Sequence, residues 1–449
     1  MILSLALDSF DNPFGGCTTH LASLIVAKLI REGYHLADYP WLIRLNPAVP
    51  WKTRGNGAVA IHLHVDTTGE SARIVQTVLK LAREYSGAEK ACLIAITWPD
   101  LSDLKDLVNQ IIRTPLRTLY TKAVSTQVST IEAQDVLREL RQHVIIIWGS
   151  ERGLIGALAS LGADLEYDYT FELLTYRHPE LWDKPRNIDI NTIIEFDLRT
   201  SPYTFLNYDY ESRKPLITPH GLDPVLYGVR GEYPEILLKA LDIIRVGELP
   251  THFTIFRTNQ ATDAHTKTLK PISMLRVYDC TEICGIVRQL RTLPGPHIAI
   301  NVCDDTDCIT AMVYRETGKL LRAVQHLKEG DTVCIQGCVK QHRGMLSFNV
   351  EKIYACIRER THTIKPRCPI CGSALKSKGR NILYCNNCHR EFYDLLPKYE
   401  QYPRLECRAF EPSPAAFHHL MMPSQRFFIR RPRGIAPPST PIFEEFTNM

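Results

Sequence analysis

Two CxxC pairs carry the most specific chemistry in the chain, Cys368-Pro-Ile-Cys371 and, thirteen residues on, Cys385-Asn-Asn-Cys388. Four thiolates on two tight turns match a closed, tetrahedral zinc site, structural because no open ligand position is implied. His389 is the alternative to one of the cysteines. Around the pairs stand Lys365, Arg367, Lys376, Lys378, Arg380, Arg390 and Lys398 against Glu391, Asp394 and Glu400. That excess equals the +4 of the whole chain. A basic ribbon of this kind reads nucleic-acid phosphates, with protein docking as the alternative.

A second group sits at the N-terminus. Asp8 closes an apolar run, Asp11 follows, and Gly15-Gly16-Cys17-Thr18-Thr19 opens a helical pattern. A glycine-bearing loop at a helix start presents N–H groups and a positive dipole end to phosphate. Two carboxylates there suit Mg2+, which keeps most of its waters. The Walker spacing is absent, and Thr18 or Thr19 as a plain helix cap is the competing reading. The third group is the loop from Arg44 through Asn46-Pro47 and Pro50 to Lys52-Thr53-Arg54-Gly55-Asn56-Gly57. Its prolines, glycines and cations suit a rigid grip on phosphate, or else a solvated loop.

The elements that must position these groups follow from periodicity. The chain has 449 residues and 45% hydrophobic composition, enough for three or four cores. Residues 1–195 alternate strand-like and helix-like runs, an α/β pattern: ILSLALD, a helix from Thr18 to Glu32 stopped by Gly33, GAVAIHLHV, a helix ending at Gly87, then ACLIAITW and HVIIIWG as buried strands before RGLIGALASLG. Residues 196–270 read as a small α+β unit. Residues 274–358 run strand, strand, strand, helix, strand, strand, the order of an OB barrel, a platform for oligonucleotides. A cysteine-rich module spans 362–400, and 401–449 forms an arm rich in Pro, Arg and aromatics. The first residues lack a basic leader and no run reaches membrane length, so a soluble, cytoplasmic protein without a membrane partner is expected.

Several blocks resemble one family. RLNPxxPxKTRGNGAV, GGCTTH, RGLIGALASLG, YTFELLTYR, TPHGLDPVLYGVRGE, FRTNQATDAH, AAFHHLMMPSQR and the CxxC pairs are similar, in order, to the archaeal tRNA-isoleucine 2-agmatinylcytidine synthetases. The resemblance implies a kinase-like ATP-binding catalytic domain at 1–195, a ferredoxin-like domain at 196–270, an OB fold at 274–358 and a zinc ribbon at 362–400. It implies a ligase that phosphorylates the 2-carbonyl oxygen of the wobble cytidine in the AUA-reading isoleucine tRNA, with agmatine then displacing the phosphate. Decoding would change from AUG to AUA. ATP, Mg2+ and zinc are the implied cofactors. The implied catalytic residues are Asp8, Asp11, Thr18, Lys52 and Arg54, with Asp8 and Asp11 on Mg2+ and Thr18 self-phosphorylated. Gly15, Gly16, Thr18, Thr19, Lys52, Thr53, Arg54, Gly55, Asn56 and Gly57 would bind the nucleotide. Where the family carries Asp-Asp-Thr-Asp-Ser, this chain has Asp8-Ser9-Phe10-Asp11-Asn12. One carboxylate is missing, and Asp8 with Asp11 is expected to suffice. Asp304-Asp305-Thr306-Asp307 is a decoy in a presumed hairpin.

Agmatine is a dication, so Asp168 and Glu172 are candidates for its pocket, with a purely structural strand or helix face as the alternative. Two other classes compete: a non-catalytic nucleic-acid binder and a small-molecule kinase. Seven further cysteines crowd between Cys280 and Cys356. Antiparallel first and fourth barrel strands would set Cys280 opposite Cys338 and Cys284 opposite Cys334, with Cys303 facing Cys308 across a turn. The readings are a bridge in at least one pair, buried free thiols, or a second metal site.

Overall fold

The computed structural model describes residues 1–12, 14–85, 89–342, 344–364, 366–379, 382–393, 395, 398–429, 434 and 437–446, the side chains of 357–364 and 398–406 aside. Gly87, Lys365, Arg380 and Asp394, and the side chains of Lys398 and Glu400, lie outside the described residues.

The first part runs β1 (Ile2–Asp8), α1 (Thr18–Arg31), β2 (Trp41–Arg44), β3 (Gly57–His64), α2 (Thr68–Tyr85), β4 (Cys92–Trp98), α3 (Leu104–Ile112), α4 (Pro115–Ser125), α5 (Thr130–Glu139), β5 (Val144–Gly149) and α6 (Glu151–Leu161). All seven residues of β1 are buried, as a central strand covered on both faces requires. Leu3, Leu5 and Leu7 pack with α1 and α2, while Ile2 and Ala6 face the opposite helical layer. Period-2 alternation does this sorting. The α/β alternation does not give a parallel sheet, because β5-β4-β1-β3-β2 pair antiparallel throughout. β5 is an edge strand and only half covered, with Ile145 and Ile147 exposed, which corrects its reading as a buried strand.

β6 (Thr170–Tyr176), α7 (Ile190–Thr200), β7 (Thr204–Phe205), β8 (Tyr208–Asp209), β9 (Lys214–Pro215), β10 (Val225–Gly231), α8 (Pro234–Ile243) and β11 (His252–Thr258) follow. β11 lies parallel to β2 at Trp41↔Arg257 and Leu42↔Thr258, so the sheet continues through β11-β6-β10-β7. Two cores expected to be separate therefore share one sheet. The buried Arg257 guanidinium seals the join against Asp38, 2.7 Å away.

The barrel comprises β12 (Cys280–Leu293), β13 (His297–Cys303), β14 (Cys308–Val313), α9 (Lys319–Val324), β15 (Thr332–His342) and β16 (Met345–Ile364). Its order is β14-β13-β12-β15-β16, closed by a parallel β14–β16 pairing. Five strands and a helix between the third and fourth match the expected arrangement. Leu320, Leu321 and Val324 of α9 enter a core otherwise made of strand residues. Beyond it, β17 (Lys376–Gly379), β18 (Ile382–Cys385) and β19 (Arg390–Tyr393) form a three-stranded sheet beside the four cysteines. β20 (Lys398–Phe410) returns along β16, and β21 (Phe443–Glu445) adds to β11. The fold is mixed α/β and multidomain.

The register sets Cys280 opposite Cys338, Cys284 opposite Cys334 and Cys303 opposite Cys308, and all three pairs are bridged. A fourth bridge, Cys356–Cys407, ties β16 to β20. Cys17, Cys92, Cys368, Cys371, Cys385 and Cys388 are free. In denaturant without reductant, and with metal chelated, the chain should titrate these six thiols rather than fourteen. A loop of fifty-odd residues is worth about 4 kcal/mol when closed, so reduction should lower the unfolding temperature of the barrel. Fourteen reactive thiols would contradict the bridges.

Candidate functional site: a charged cavity at the start of the first helix

α1 begins at Thr18, and Cys17 before it offers no side-chain cap. The Cys17 N–H is taken by the Tyr85 hydroxyl at 2.9 Å, and the Thr18 hydroxyl accepts the Phe10 N–H at 3.1 Å. Thr18 and Thr19 face a cavity of about 460 Å3. Asp11 stands beside them, Thr53, Arg54, Gly55 and Gly57 form a second wall, and Asp223, Arg230, Glu172 and His419 line the rest. The geometry brings a helix N-terminus, a cationic loop and three carboxylates around one space.

The loop's glycines are there for close approach. A Cβ at Gly55 would lie 2.7 Å from Arg44 Nη1 and 2.8 Å from the His419 ring, and one at Gly57 would lie 2.9 Å from the same Nη1. Between them Asn56 has φ 49°, and its amide donates to the Asn46 carbonyl at 2.9 Å. Thr53 donates to Asp11 at 2.9 Å. The Arg54 guanidinium spans Asp11, at 3.2 Å, and Asp223, while also donating to the Leu222 carbonyl. Lys52 turns the other way. It donates to the Arg54 carbonyl at 3.0 Å and lines a smaller cavity with Asp8, Ser9, Asn56, Trp51 and Arg152. The sequence-predicted residues thus divide. Asp11, Thr18, Thr19, Thr53, Arg54, Gly55 and Gly57 meet in the larger space, and Asp8, Lys52 and Asn56 in the smaller. Gly15 and Gly16 line neither; Gly15, at φ 109°, packs under the Trp182 ring and shapes the turn.

Asp8 is buried, with the α6 backbone pressed against it: a Cβ at Gly156 would sit 2.2 Å from its carboxylate. Burial first, and repulsion from Asp11 second, push its pKa up to about 7. Ser9 donates a hydrogen bond to Asp8 at 3.3 Å. Burial also raises Asp223, against the pull of Arg54, and holds the Cys17 thiol protonated with a pKa near 12. Buried Asp8 and half-buried Asp11 repel one another, and a divalent cation between such carboxylates would relieve that repulsion.

Glu172 is not an open amine receptor. It lies 3.5 Å from Arg44 and 3.2 Å from Arg230, while Asp168 pairs with Arg426 at 3.1 Å and Lys267 at 3.6 Å. Both carboxylates are committed to cations of the protein itself. Residue-by-residue reading missed Asp223, Arg152, Arg230 and His419; the signal for the first was its place in the Gly-rich block ending in GVRGE. Asp304 is spent in the β13–β14 turn on Thr306 and on backbone N–H groups, as a decoy would be. In the cysteine module, Cys368 Sγ lies 3.9 Å from Cys388 Sγ and Cys371 Sγ lies 3.6 Å from Cys385 Sγ. Tetrahedral ligands at 2.3 Å from an ion would be about 3.8 Å apart.

A cavity walled by a helix start, a cationic loop and carboxylates, with that loop bonded to a five-stranded barrel at Tyr278 and Lys340, is a site of the phosphate-binding class. Comparison with known proteins gives its family. The TiaS TCKD domain model matches residues 4–147 and the TiaS FLD domain model matches residues 151–265. The tRNA(Ile2) 2-agmatinylcytidine synthetase TiaS of Hyperthermus butylicus is 45% identical, covering 99% of this chain and 97% of its own length. That of Pyrococcus horikoshii is 36% identical over 94% of this chain and 97% of its own. A crystal structure of a TiaS-tRNA(Ile2)-AMPCPP-agmatine complex superposes with TM-score 0.74 at 27% identity, covering 97% of this chain and 99% of that one. The chain belongs to the tRNA(Ile2) 2-agmatinylcytidine synthetase family. Among the described residues, no helix is long and apolar enough to cross a membrane.

Asp8 supplies a stability test. Unfolded, it ionises near 3.8, and folded near 7, so between these values the unfolded chain has released a proton that the fold keeps. Ionisation therefore works against the fold as pH rises through this window, by up to about 1.4 kcal/mol per pH unit. Without Mg2+, Asp8→Asn should gain stability on the wild type as pH rises from 4 to 7. A melting-temperature difference that stays flat with pH would contradict the buried carboxylate.

Proposed function

We propose that this chain uses ATP to join agmatine to the 2-position of the wobble cytidine of an AUA-reading isoleucine tRNA. The observation that carries the reading is one cavity in which the start of α1, the Lys52–Gly57 loop and Asp11 meet, in a chain that matches its relatives over nearly their full length. A ring carbonyl is a poor electrophile. Moving a phosphoryl group from ATP to its oxygen makes that oxygen a leaving group, and the agmatine amine then forms the C–N bond as phosphate departs. Phosphoryl transfer needs mainly positioning and charge neutralisation. The α1 N-terminus offers N–H groups to phosphate, and Lys52 and Arg54 bring charge from either side of the loop. Thr18, facing the same space, is the self-phosphorylation site of this reading. Mg2+, held by Asp8 and Asp11, would supply charge neutralisation on the triphosphate. For agmatine, Asp223 is the carboxylate of this reading: it lines the same cavity and becomes free when Arg54 turns to the triphosphate.

The remaining units serve tRNA capture in this reading. The first unit is kinase-like and the second ferredoxin-like. In this reading their division falls between α6 and β6 rather than at 195, supported by α6 in the first unit's core and by β6 paired with β10 and β11. The barrel is an OB fold and the four-cysteine module a zinc ribbon, whose Sγ spacing fits a tetrahedral ion. Acting on tRNA, the enzyme works in the cytoplasm; bridged cysteines are compatible with that in heat-adapted archaea.

Digestion of the tRNA after incubation with ATP and agmatine should yield a wobble nucleoside heavier by agmatine less water, and an unmodified cytidine would overturn the reading. Asp223→Asn should raise KM for agmatine at least tenfold with a smaller change in KM for ATP; equal effects on both would remove Asp223 from the amine site. Cys385→Ser should lose one metal equivalent and tRNA affinity while ATP binding persists. Undiminished metal content would sink the ribbon.

A further inference from the structure

Away from the cavity, three side chains that no part of this reaction uses converge where the barrel meets the chain's last segment. His265 comes from the loop after β11, Glu351 from β16 and His418 from the segment that packs back after β20. His265 Nε2 lies 2.7 Å from one Glu351 oxygen and His418 Nε2 lies 2.8 Å from the other. The three donor atoms fall within 4.8 Å of one another. The rings stand at 73° with centroids 5.0 Å apart, so they approach the carboxylate from different directions.

A buried carboxylate needs a cation or hydrogen bonds. Here one imidazole stands at each oxygen. His418 Nε2 is shielded from water yet forms no hydrogen bond with any described residue, although Glu351 is at contact distance. His265 is fully buried, and its Nδ1 also lacks a partner among the described residues. Two imidazole nitrogens and one carboxylate converging from three separate segments are a donor set that a borderline divalent ion takes.

We propose that His265, Glu351 and His418 form a second metal site, for a zinc-class divalent ion, separate from the four cysteines. The nearby Cys338 sulfur, 3.5 Å from Glu351, is tied up in its bridge to Cys280, so the protein supplies three ligands and a fourth position stays open. His418 also lines a cavity of about 350 Å3 shared with Arg44, Lys52 and Arg54, which gives the ion a path in. The ion would pin the last segment to the barrel, and with it His419, the neighbour that lines the main cavity.

The test is a Co2+ titration of the full chain, stripped by chelator and kept in excess Mg2+ to fill any carboxylate site. Two equivalents should bind. One should carry thiolate charge-transfer bands from the cysteines, and the other only weak ligand-field bands from nitrogen and oxygen. His418→Gln, at a side chain about one-third exposed, should fold normally and drop the stoichiometry from two to one by losing only the second spectrum. Glu351→Gln should do the same. Saturation of the wild type at one equivalent would overturn the site, as would two equivalents retained by His418→Gln.

Discussion

The guanidinium of Arg44 is buried in the wall of the main cavity, and a buried charge persists only where partners answer it. Glu172 answers from β6, at 3.5 Å, and divides itself between Arg44 and Arg230 of β10. Gln260 donates to the same carboxylate and meets His419 at 2.8 Å through its carbonyl. One carboxylate therefore holds together a loop of the first unit, two strands of the second and the returning C-terminal segment. Losing it would leave two arginines facing each other in a dry wall. Gly55 and Gly57 belong to the same constraint, because any side chain there would drive the loop off Arg44. The loop that carries Lys52 and Arg54 is placed by what lies beneath it.

The shared sheet brings these parts within reach. β2 leads into the Arg44 loop, and its parallel neighbour β11 leads into Asn259, whose side chain bonds the backbone of Arg44 at both ends. Strands from two units thus deliver their C-terminal ends to one place, and the cavity opens there. Chemistry that depends on position more than on covalent participation gains from such a frame, since neither wall moves independently of the other.

Local patterns in the sequence anticipated local structure. A Gly-Gly turn and a threonine pair announced the start of α1, and two CxxC pairs announced a cluster whose sulfurs do converge. Cysteine spacing told the barrel register, because residues four apart share a face and the first and fourth strands pair antiparallel. The seventh cysteine could not be placed, since its partner Cys407 lies beyond the module, fifty-one residues away. Long-range pairings left no such mark. Nothing near Trp41 foretells a parallel neighbour at Arg257, and nothing near Arg54 foretells Asp223. Glu172 looked open to an amine because its two arginines arrive from remote segments. The burial that lifts Asp8 to about 7 comes from α6 packing on it, again from far along the chain.

Activation of a base carbonyl by phosphorylation of its oxygen leaves an isotopic trace. Following that oxygen tests it most directly. A tRNA carrying 18O at the 2-carbonyl of the wobble cytidine, turned over with ATP and agmatine, should release inorganic phosphate that bears the label. Label found in AMP, or in water with the phosphate unlabelled, would contradict the account.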